Sequence, residues 1–397
     1  MREGSHVLIV PIEEAEPGMT LACNVPHPET PQRDLLKRGF ILDSGVLKRL
    51  RSLGVAHVHV DYPGLEDLDQ HLLPKLEPIR RTVYEQIKDT VVKIERTSSP
   101  IADFTGYKNA TRSMIEMLLD QGQNPLYMDQ LSSRLGADAV AHATSVAHLS
   151  LVIGLRTQEY LISQRNRLTP KHASDVVNLG IAGMLHDIGK SKLPASLRTC
   201  TAIAPPAVEA DRLAWEEHCQ LGYEMIKGGL EPSAAAAVLH HHQHFDGTGF
   251  PPLKLRDAAP TRPAGEAIHI FPRILRLADL FDHLTVAKST GRRPNVQILH
   301  LLRSRYSAWL DPRLLAELPA IVPPFPPGSK VRLSDGRDAV VTALNLTDAY
   351  DPTVKRLAAD GKSVEPEPLR LGPPTGLRIV QVGTVLVADL LPPLVAA

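Results

Sequence analysis

The chain has 397 residues, enough for two or three domains that each bury a core. Its 44 basic and 44 acidic residues balance, which argues against a broad basic face for a nucleic acid polymer but leaves room for a local anion pocket. The three cysteines are widely spaced and form no C-x-x-C pair, so they favour neither a disulfide framework nor a thiolate zinc site.

Neither end of the chain has the pattern of a signal peptide or a membrane span. The apolar run His6–Ile12 is short and precedes acidic residues, and the apolar tail after Ile379 is interrupted by Gln381, Asp389 and two prolines. We therefore expect no membrane span. Together with the cysteine usage, this predicts a cytoplasmic protein.

Residues 1–62 predict a small α/β module. A β-like run over Val7–Ile12 is followed by a turn at Pro17–Gly18, a helical stretch over Ser44–Leu53 and a strand over Val55–Val60. Gly54 ends the helical stretch. The pattern leaves open whether this module binds a ligand, a partner or nothing.

Residues 63–106 predict a linker and a connecting helix. Within 76–96 the apolar residues recur at spacings of three and four, at Ile79, Val83, Ile87, Val91 and Ile94. This single apolar face is suited to a homodimer or a protein partner. Packing on the domain that follows explains the same pattern equally well.

Residues 107–318 predict an all-α bundle, because nearly every segment from Tyr107 to Trp309 has helical periodicity with short breaks. The composition changes after Pro319, where a proline-rich linker leads into three strand-like runs separated by turn residues. These runs are Val331–Leu333, Ala339–Leu346 and Leu377–Val387. Residues 319–397 therefore predict a β-rich C-terminal domain.

Histidine and aspartate interrupt five apolar helices of the predicted bundle. The pair His186 and Asp187 ends the run that begins at Asn178, and the other positions are His142, His218, His241, His242 and Asp279. Facing helices hold metals with such interior residues, because a buried charge must be paired or coordinated. A donor set of nitrogen and oxygen suits iron or manganese better than zinc. Each histidine alone is more often an ordinary core residue, so the ordered series carries the prediction.

The series resembles the HD-GYP family, a branch of the HD phosphohydrolases that hydrolyses cyclic di-GMP. Leu185–Lys190 matches the family's LHDIGK, and His241–Pro251 is similar to its HHExxDGxGYP. Glu217–Gly222 looks like the HxxxG helix, and Arg273–Asp282 looks like rIxxxaDxfD. The resemblance covers the stretch 142–294. The two flanks are similar to a module and a β tail that often accompany such domains.

The resemblance implies an all-α HD-type bundle between a small N-terminal α/β module and a small C-terminal β domain. It implies two divalent metal ions, with iron or manganese preferred, and Asp187 as the bridge between them. Asp138 stands where some members place a glutamate for a third ion, which leaves two metals against three open. The implied metal ligands are Asp138, His142, His186, Asp187, His218, His241, His242 and Asp279.

The resemblance also implies a reaction and a partner, cyclic di-GMP. A metal-bridging hydroxide would attack phosphorus in line and give pGpG, with GMP following if the linear product is rebound. Asp187 and Lys190 would be the catalytic residues, with Lys190 near a phosphate oxygen. The implied substrate contacts are Lys190, Asp246, Gly247, Gly249, Phe250, Pro251 and Lys288.

Several positions depart from the family pattern. Gln243 replaces the glutamate of HHE, Phe250 replaces the tyrosine of GYP, KPGxL is missing, and RPYR is echoed only by Lys288 and Arg292–Pro294. None of these changes removes a matched ligand. Two other functions stay open: a catalytically weak module that senses cyclic dinucleotides or binds a partner, and an HD phosphohydrolase for another cyclic nucleotide.

Overall fold

The structure is a computed structural model that describes residues 7–27, 33–55, 57–65, 68, 76–97, 104–120, 139–253, 261–287, 291–358, 363–373 and 375–391. An N-terminal module, a central helical domain and a C-terminal antiparallel sheet follow one another along the chain.

Two short antiparallel pairs and one helix form the N-terminal module. Its elements are β1 (Val7–Pro11), β2 (Val25–Pro26), β3 (Asp34–Leu36), α1 (Ser44–Ser52) and β4 (His57–Asp61). Strand β1 pairs with β4, and β2 pairs with β3. Helix α1 begins after Asp43, whose carboxylate accepts the N–H of Val46 and satisfies a free donor of the first turn. The apolar side of each element faces a common core.

The connecting helix α2 (Leu76–Thr97) uses its apolar face inside the chain. Val83 and Ile87 lie in the core of the helical domain, and Tyr84 is buried beside them. The helix contacts the two long helices that follow it and the 3-10 segment Ile188–Lys192. Packing within the chain therefore accounts for this apolar face. A dimer or partner contact through the helix stays a prediction.

The predicted helical domain is confirmed, with one short ribbon as an addition. Its helices are α3 (Thr105–Asp120), α4 (Ala139–Arg156), α5 (Gln158–Gln164), α6 (Pro170–Ala173), α7 (Val177–Leu185), α8 (Ala195–Arg198), α9 (Glu209–Glu216), α10 (His218–Ile226), α11 (Pro232–His240), α12 (Ile270–Thr285), α13 (Asn295–Arg305) and α14 (Pro312–Ile321). The short 3-10 helices are Ile188–Lys192, Gly265–Ala267 and Ser307–Trp309. The ribbon pairs β5 (Val286–Ala287) with β6 (Gly291–Arg292).

Helix α4 lies at the centre of the domain and packs on α7 and α12. Among the described helices, α4 is the one whose length and apolar composition would allow it to cross a membrane, yet 67% of that window is buried inside the protein. Its apolar character is thus explained by its position in the core.

The C-terminal domain is one antiparallel sheet with the strand order β10-β9-β8-β7-β11-β12. The strands are β7 (Lys330–Leu333), β8 (Asp338–Ala343), β9 (Thr353–Arg356), β10 (Leu369–Arg370), β11 (Ile379–Val382) and β12 (Val385–Leu386). The expected β-rich domain is confirmed. The predicted single strand Leu377–Val387 is wrong in detail, because a turn at Gly383, with φ of +53°, folds it into β11 and β12.

The two ends of the chain meet. Val340 and Val364 of the C-terminal domain belong to the hydrophobic core of the N-terminal module. Lys330 Nζ lies 3.3 Å from a carboxylate oxygen of Glu14, and Lys355 Nζ donates to the carbonyl of Gly64 at 3.1 Å. The N-terminal module therefore packs on the C-terminal sheet.

Candidate metal centre

Two close backbone approaches bring the polar segments of the bundle together. A Cβ on Gly183 would lie 2.6 Å from Cα of Ala147, so α7 can contact α4 this closely only with glycine there. A Cβ on Gly189 would lie 2.0 Å from the carbonyl oxygen of His218 and 2.5 Å from the nitrogen of Gly222. The first contact sets the end of α7 beside α4, and the second sets the 3-10 segment beside α10.

Four buried or nearly buried imidazoles are anchored through the same ring nitrogen. Each Nδ1 contacts an oxygen acceptor: Asp282 Oδ2 for His142 at 2.7 Å, Gly183 O for His186 at 2.8 Å, Trp215 O for His218 at 2.6 Å and Val238 O for His241 at 2.6 Å. An Nδ1–H that donates in this way leaves Nε2 with its lone pair. Metal-binding histidines are held by this arrangement.

The two carboxylate oxygens of Asp187 face different histidines. Oδ2 lies 3.5 Å from Nε2 of His186 and 3.9 Å from Nε2 of His142. Oδ1 lies 3.4 Å from Nε2 of His218 and 3.7 Å from Nε2 of His241, and it is buried without a hydrogen-bond partner among the described residues. One carboxylate thus lies between two pairs of nitrogens.

The nitrogen–nitrogen separation within each histidine pair fits metal coordination. The Nε2 atoms of His142 and His186 are 3.2 Å apart, and those of His218 and His241 are 3.3 Å apart. Bonds of about 2.1 Å at tetrahedral or octahedral angles place neighbouring donors roughly 3.0 to 3.4 Å apart. Each pair can therefore bind one cation, and Asp187 can supply one oxygen to each. The residues present fit a divalent metal.

The electrostatics of the cluster favour the protonation states that metals need. Burial lowers the pKa of His186 to about 4 and that of His218 to about 3, so both rings are neutral near pH 7. Burial alone would raise the pKa of Asp187, but Lys190 and His186 hold it well below its usual range. Asp187 is therefore ionised.

His142 behaves differently from its neighbours. Burial lowers its pKa, but hydrogen bonds to Asp279 and Asp282 outweigh burial and raise the pKa to about 10. Its Nε2 lies 3.3 Å from Oδ1 of Asp279. A metal that binds Nε2 of His142 would consequently release a proton.

Arg276 is a fully buried cation inside the cluster. Its Nη1 lies 3.2 Å from Oδ2 of Asp279 and 3.2 Å from Nδ1 of His242. A guanidinium only donates, so Nδ1 of His242 accepts and Nε2 carries the proton. That Nε2 is buried without a partner among the described residues. His242 lies with the other implied ligands, but ligation through Nε2 requires its other tautomer.

The chain is similar to known proteins that have an HD domain or phosphodiesterase activity. Residues 146–314 match the family model described as "HD domain". The cyclic di-GMP phosphodiesterase PA4108 of Pseudomonas aeruginosa is 25% identical over 342 residues, 80% of this chain and 77% of that protein. The 3'3'-cGAMP-specific phosphodiesterase 2 of Vibrio cholerae is 30% identical over 140 residues, 34% of this chain and 24% of that protein.

A solved structure, Bd1817, a HDG"Y"P protein from Bdellovibrio bacteriovorus, has 14% identity and a TM-score of 0.43 over 80% of this chain and 99% of its own. The HD match and the PA4108 relative span the region in which the sequence motifs follow one another in order. Residues 146–314 therefore form an HD domain, and the relatives support a place for the chain in the HD-GYP family. The chain is an HD-type phosphodiesterase.

The GYP-type loop packs against the second histidine of the HD-GYP HH pair. Phe250 stacks on His242 with ring centroids 4.7 Å apart and an interplanar angle of 29°, and its N–H donates to the carbonyl of His242 at 3.1 Å. The amide of Gln243 donates to the carbonyl of Pro251. A Cβ on Gly249 would lie 2.3 Å from the nitrogen of His244, so glycine is required there. Contact of Phe250, Pro251 or Gly249 with a substrate stays a prediction.

Other residues implied by the HD-GYP resemblance hold local structure. Asp246 accepts from the N–H and the hydroxyl of Thr248 at 2.9 and 2.7 Å, and Gly247 has φ of +80°, so both shape the turn. Lys190 Nζ donates to Oδ2 of Asp187 at 2.7 Å and to the carbonyl of Cys200 at 3.2 Å. Asp138 and Lys288 lie outside the described residues.

Four residues at the HD-GYP centre were not among the predicted site residues. Asp282 and His283 follow Asp279 by three and four positions, so helical spacing from that aspartate would have indicated both. Cys219 is buried with Sγ 3.6 Å from Nε2 of His218. Cys219 directly follows the predicted ligand His218, and Arg276 lies three positions before Asp279, so local spacing would have indicated these two as well.

Proposed function

We propose that this protein hydrolyses cyclic di-GMP to pGpG, and to GMP when the linear product is rebound, with two divalent cations bridged by Asp187. The observation that carries the proposal is that the two oxygens of Asp187 face separate histidine pairs, His142 with His186 and His218 with His241. Iron and manganese suit this set of nitrogen and oxygen donors.

The chain's own residues orient these donors and supply positive charge. One ion would be held by His142, His186 and Asp279, and the other by His218 and His241, with His242 joining after a tautomer change. Two bound cations would supply a nucleophile from water near neutral pH and polarise a phosphate oxygen. Lys190, which is 8% exposed, lies against Asp187, where it would contact a phosphate oxygen.

Cyclic di-GMP is favoured because PA4108, the relative matched over 77% of its own length, is named for that substrate. A second candidate substrate is 3'3'-cGAMP, since a relative from Vibrio cholerae is named for it. The departures at Gln243 and Phe250 bear on this choice. Gln243 donates to Pro251 and Phe250 stacks on His242, so both departures shape the GYP-type loop beside the metal cluster, where they would affect how the dinucleotide is held.

The test uses purified full chain reconstituted anaerobically with Mn²⁺ or Fe²⁺ and incubated with each dinucleotide. We expect two metal equivalents per chain and pGpG as the first product of cyclic di-GMP. Asp187→Asn keeps the size of the side chain but removes the charge shared by both ions, so it should lose metal and activity together. His172→Ala, at an exposed position on α6, is the matched control.

The outcomes separate the candidate functions. A protein that holds two ions and binds cyclic di-GMP without producing a linear dinucleotide is a sensor rather than an enzyme. A clear preference for 3'3'-cGAMP in kcat/KM assigns that substrate instead. Fewer than two metal equivalents per chain contradicts the bridged mechanism. The count of metals, which Asp138 leaves at two or three, and the cytoplasmic location stay predictions.

A further inference from the structure

His283 points at the same carboxylate oxygen as a predicted ligand. It lies on α12, four residues after Asp279, so both side chains share one face of the helix. Its Nε2 is 3.0 Å from Oδ1 of Asp279, and Nε2 of His142 is 3.3 Å from that same oxygen. The rings of His283 and His142 stack with centroids 4.2 Å apart and an interplanar angle of 16°.

The three donor atoms have the spacing of ligands on one ion. Donor atoms of His142, Asp279 and His283 all lie within 4.8 Å of one another. The two contacts with the aspartate oxygen, 3.0 and 3.3 Å, match the roughly 3.0 to 3.4 Å expected between adjacent ligands of a metal with bonds of about 2.1 Å. Two ligands four residues apart on one helix are a recurrent metal-binding arrangement.

The surroundings leave Oδ1 of Asp279 to the two histidines. Asp279 uses its other oxygen, Oδ2, for Arg276, and Nδ1 of His142 is held by Asp282. The side chain of Asp279 is 2% exposed, whereas those of His142 and His283 are 11% and 15% exposed. The group therefore lies at the solvent side of the cluster, where an ion can enter.

We propose that His283 is a further metal ligand, joining His142 and Asp279 around the ion that these two would hold with His186. The proposal rests on the metal dependence proposed above and adds a donor from α12 to the implied set. The two nitrogens and one oxygen of this group suit manganese or iron. The competing explanation is that His283 and Asp279 form only an ion pair.

The experiment measures metal binding rather than turnover. Full-length wild type, His283→Ala, His283→Glu and the control His172→Ala are stripped with a chelator and titrated with Mn²⁺. Free Mn²⁺ is followed by electron paramagnetic resonance, and bound metal by elemental analysis. We expect His283→Ala to lose one equivalent or to bind it at least about tenfold more weakly, which is the lower end of the loss seen for supporting residues. The control should match wild type.

His283→Glu separates the two explanations. A glutamate can bind an ion but cannot pair with Asp279, so the ligand role predicts Mn²⁺ affinity closer to wild type than that of His283→Ala. The ion-pair role predicts the reverse, together with a lower melting temperature in chelator. Unchanged metal count and affinity in His283→Ala overturn the proposal, as does a wild type that binds no Mn²⁺. Metal uptake without dinucleotide hydrolysis contradicts only the proposed function, and the comparison of variants still decides the role of His283.

Discussion

His244 links the GYP-type loop to the helix that carries Asp279. Its Nε2 lies 3.3 Å from Nη2 of Arg276, and its Nδ1 lies 2.8 Å from the hydroxyl of Thr248, which in turn donates to Asp246. The ring stacks on Trp309 with centroids 4.1 Å apart. Because Arg276 only donates, Nε2 must accept, and this fixes His244 as a neutral ring that donates from Nδ1.

Protonation of His244 should therefore weaken the protein in acid. Burial, reinforced by Arg276, lowers its pKa to about 3 from an ordinary 6.5. Below pH 6.5 the unfolded chain gains a proton that the folded chain refuses, so the stabilisation is complete above pH 6.5 and is lost as the pH falls towards 3. When the pH falls from 7.5 to 5, this group should lower the free energy of unfolding by about 2 kcal/mol.

Urea unfolding in chelator at these two pH values measures the effect. His244→Gln cannot titrate, so we expect its free energy of unfolding to fall less than that of wild type by about that amount. His172→Gln, at an exposed position, should follow wild type. Equal pH dependence of wild type and His244→Gln would show that the ring is not held neutral.

For single residues, the sequence predicted which side chains belong to the site better than it predicted which side chains they contact. His186 and Asp187 stand out because polar residues end an apolar helix, and motif order indicated His218 and His241. The contacts of Arg276 with two histidines of the loop could not be found in this way. Its partners His242 and His244 are more than thirty positions away, and the contact depends on how α12 packs against the loop.

At the scale of elements, one glycine sets the distance between the HD segment and α10. A methyl group on Gly189 would lie 2.0 Å from the carbonyl oxygen of His218, and a rigid backbone cannot move aside as a long side chain can. We expect Gly189→Ala to lower the free energy of unfolding by at least about 2 kcal/mol. It should also weaken metal binding, since Asp187 and His218 would move apart.

Gly228→Ala is the matched control, because no atom lies within 4 Å of the added methyl group and the change stays near the end of α10. Thermal melting and metal content of both variants check the prediction. If Gly189→Ala had the melting temperature and metal content of wild type, the HD segment and α10 would be farther apart than the 2.0 Å between a Cβ on Gly189 and the carbonyl oxygen of His218 implies.

Helix α2 packs on the helical domain, which is one of the two alternatives that its apolar pattern left open. Val83 is fully buried in the helical core, whereas Val92 is 38% exposed on the same helix. We expect Val83→Asp to destabilise the protein by roughly 3 kcal/mol or more, since a buried carboxylate without a partner is costly. Val92→Asp should change stability little. Size-exclusion chromatography with urea unfolding distinguishes this from a dimer helix, for which Val83→Asp would dissociate the protein without unfolding it.

At the scale of the whole molecule, the joining of the two ends was beyond the reach of sequence patterns. Periodicity predicted α1, the helical bundle and most strands, because side-chain burial repeats every two or three to four residues within one element. Glu14 and Lys330 are separated by more than three hundred positions, and nothing local marks their contact. The same holds for Val340, which lies in an ordinary strand pattern but belongs to the core of the N-terminal module.

This shared core predicts that the N-terminal module and the C-terminal sheet lose protection against amide hydrogen exchange together. A Cβ on Gly64 would lie 2.8 Å from Cγ2 of Val364, whereas a Cβ on Gly39 would meet no atom within 4 Å. Both glycines have positive φ, +89° and +81°, so alanine strains both turns alike and only Gly64→Ala disturbs the contact. We expect faster amide hydrogen exchange in β1, β4 and β8 of Gly64→Ala, with α4 unaffected. Acceleration confined to residues 57–65, or equal in Gly39→Ala, would mean that the two ends fold independently.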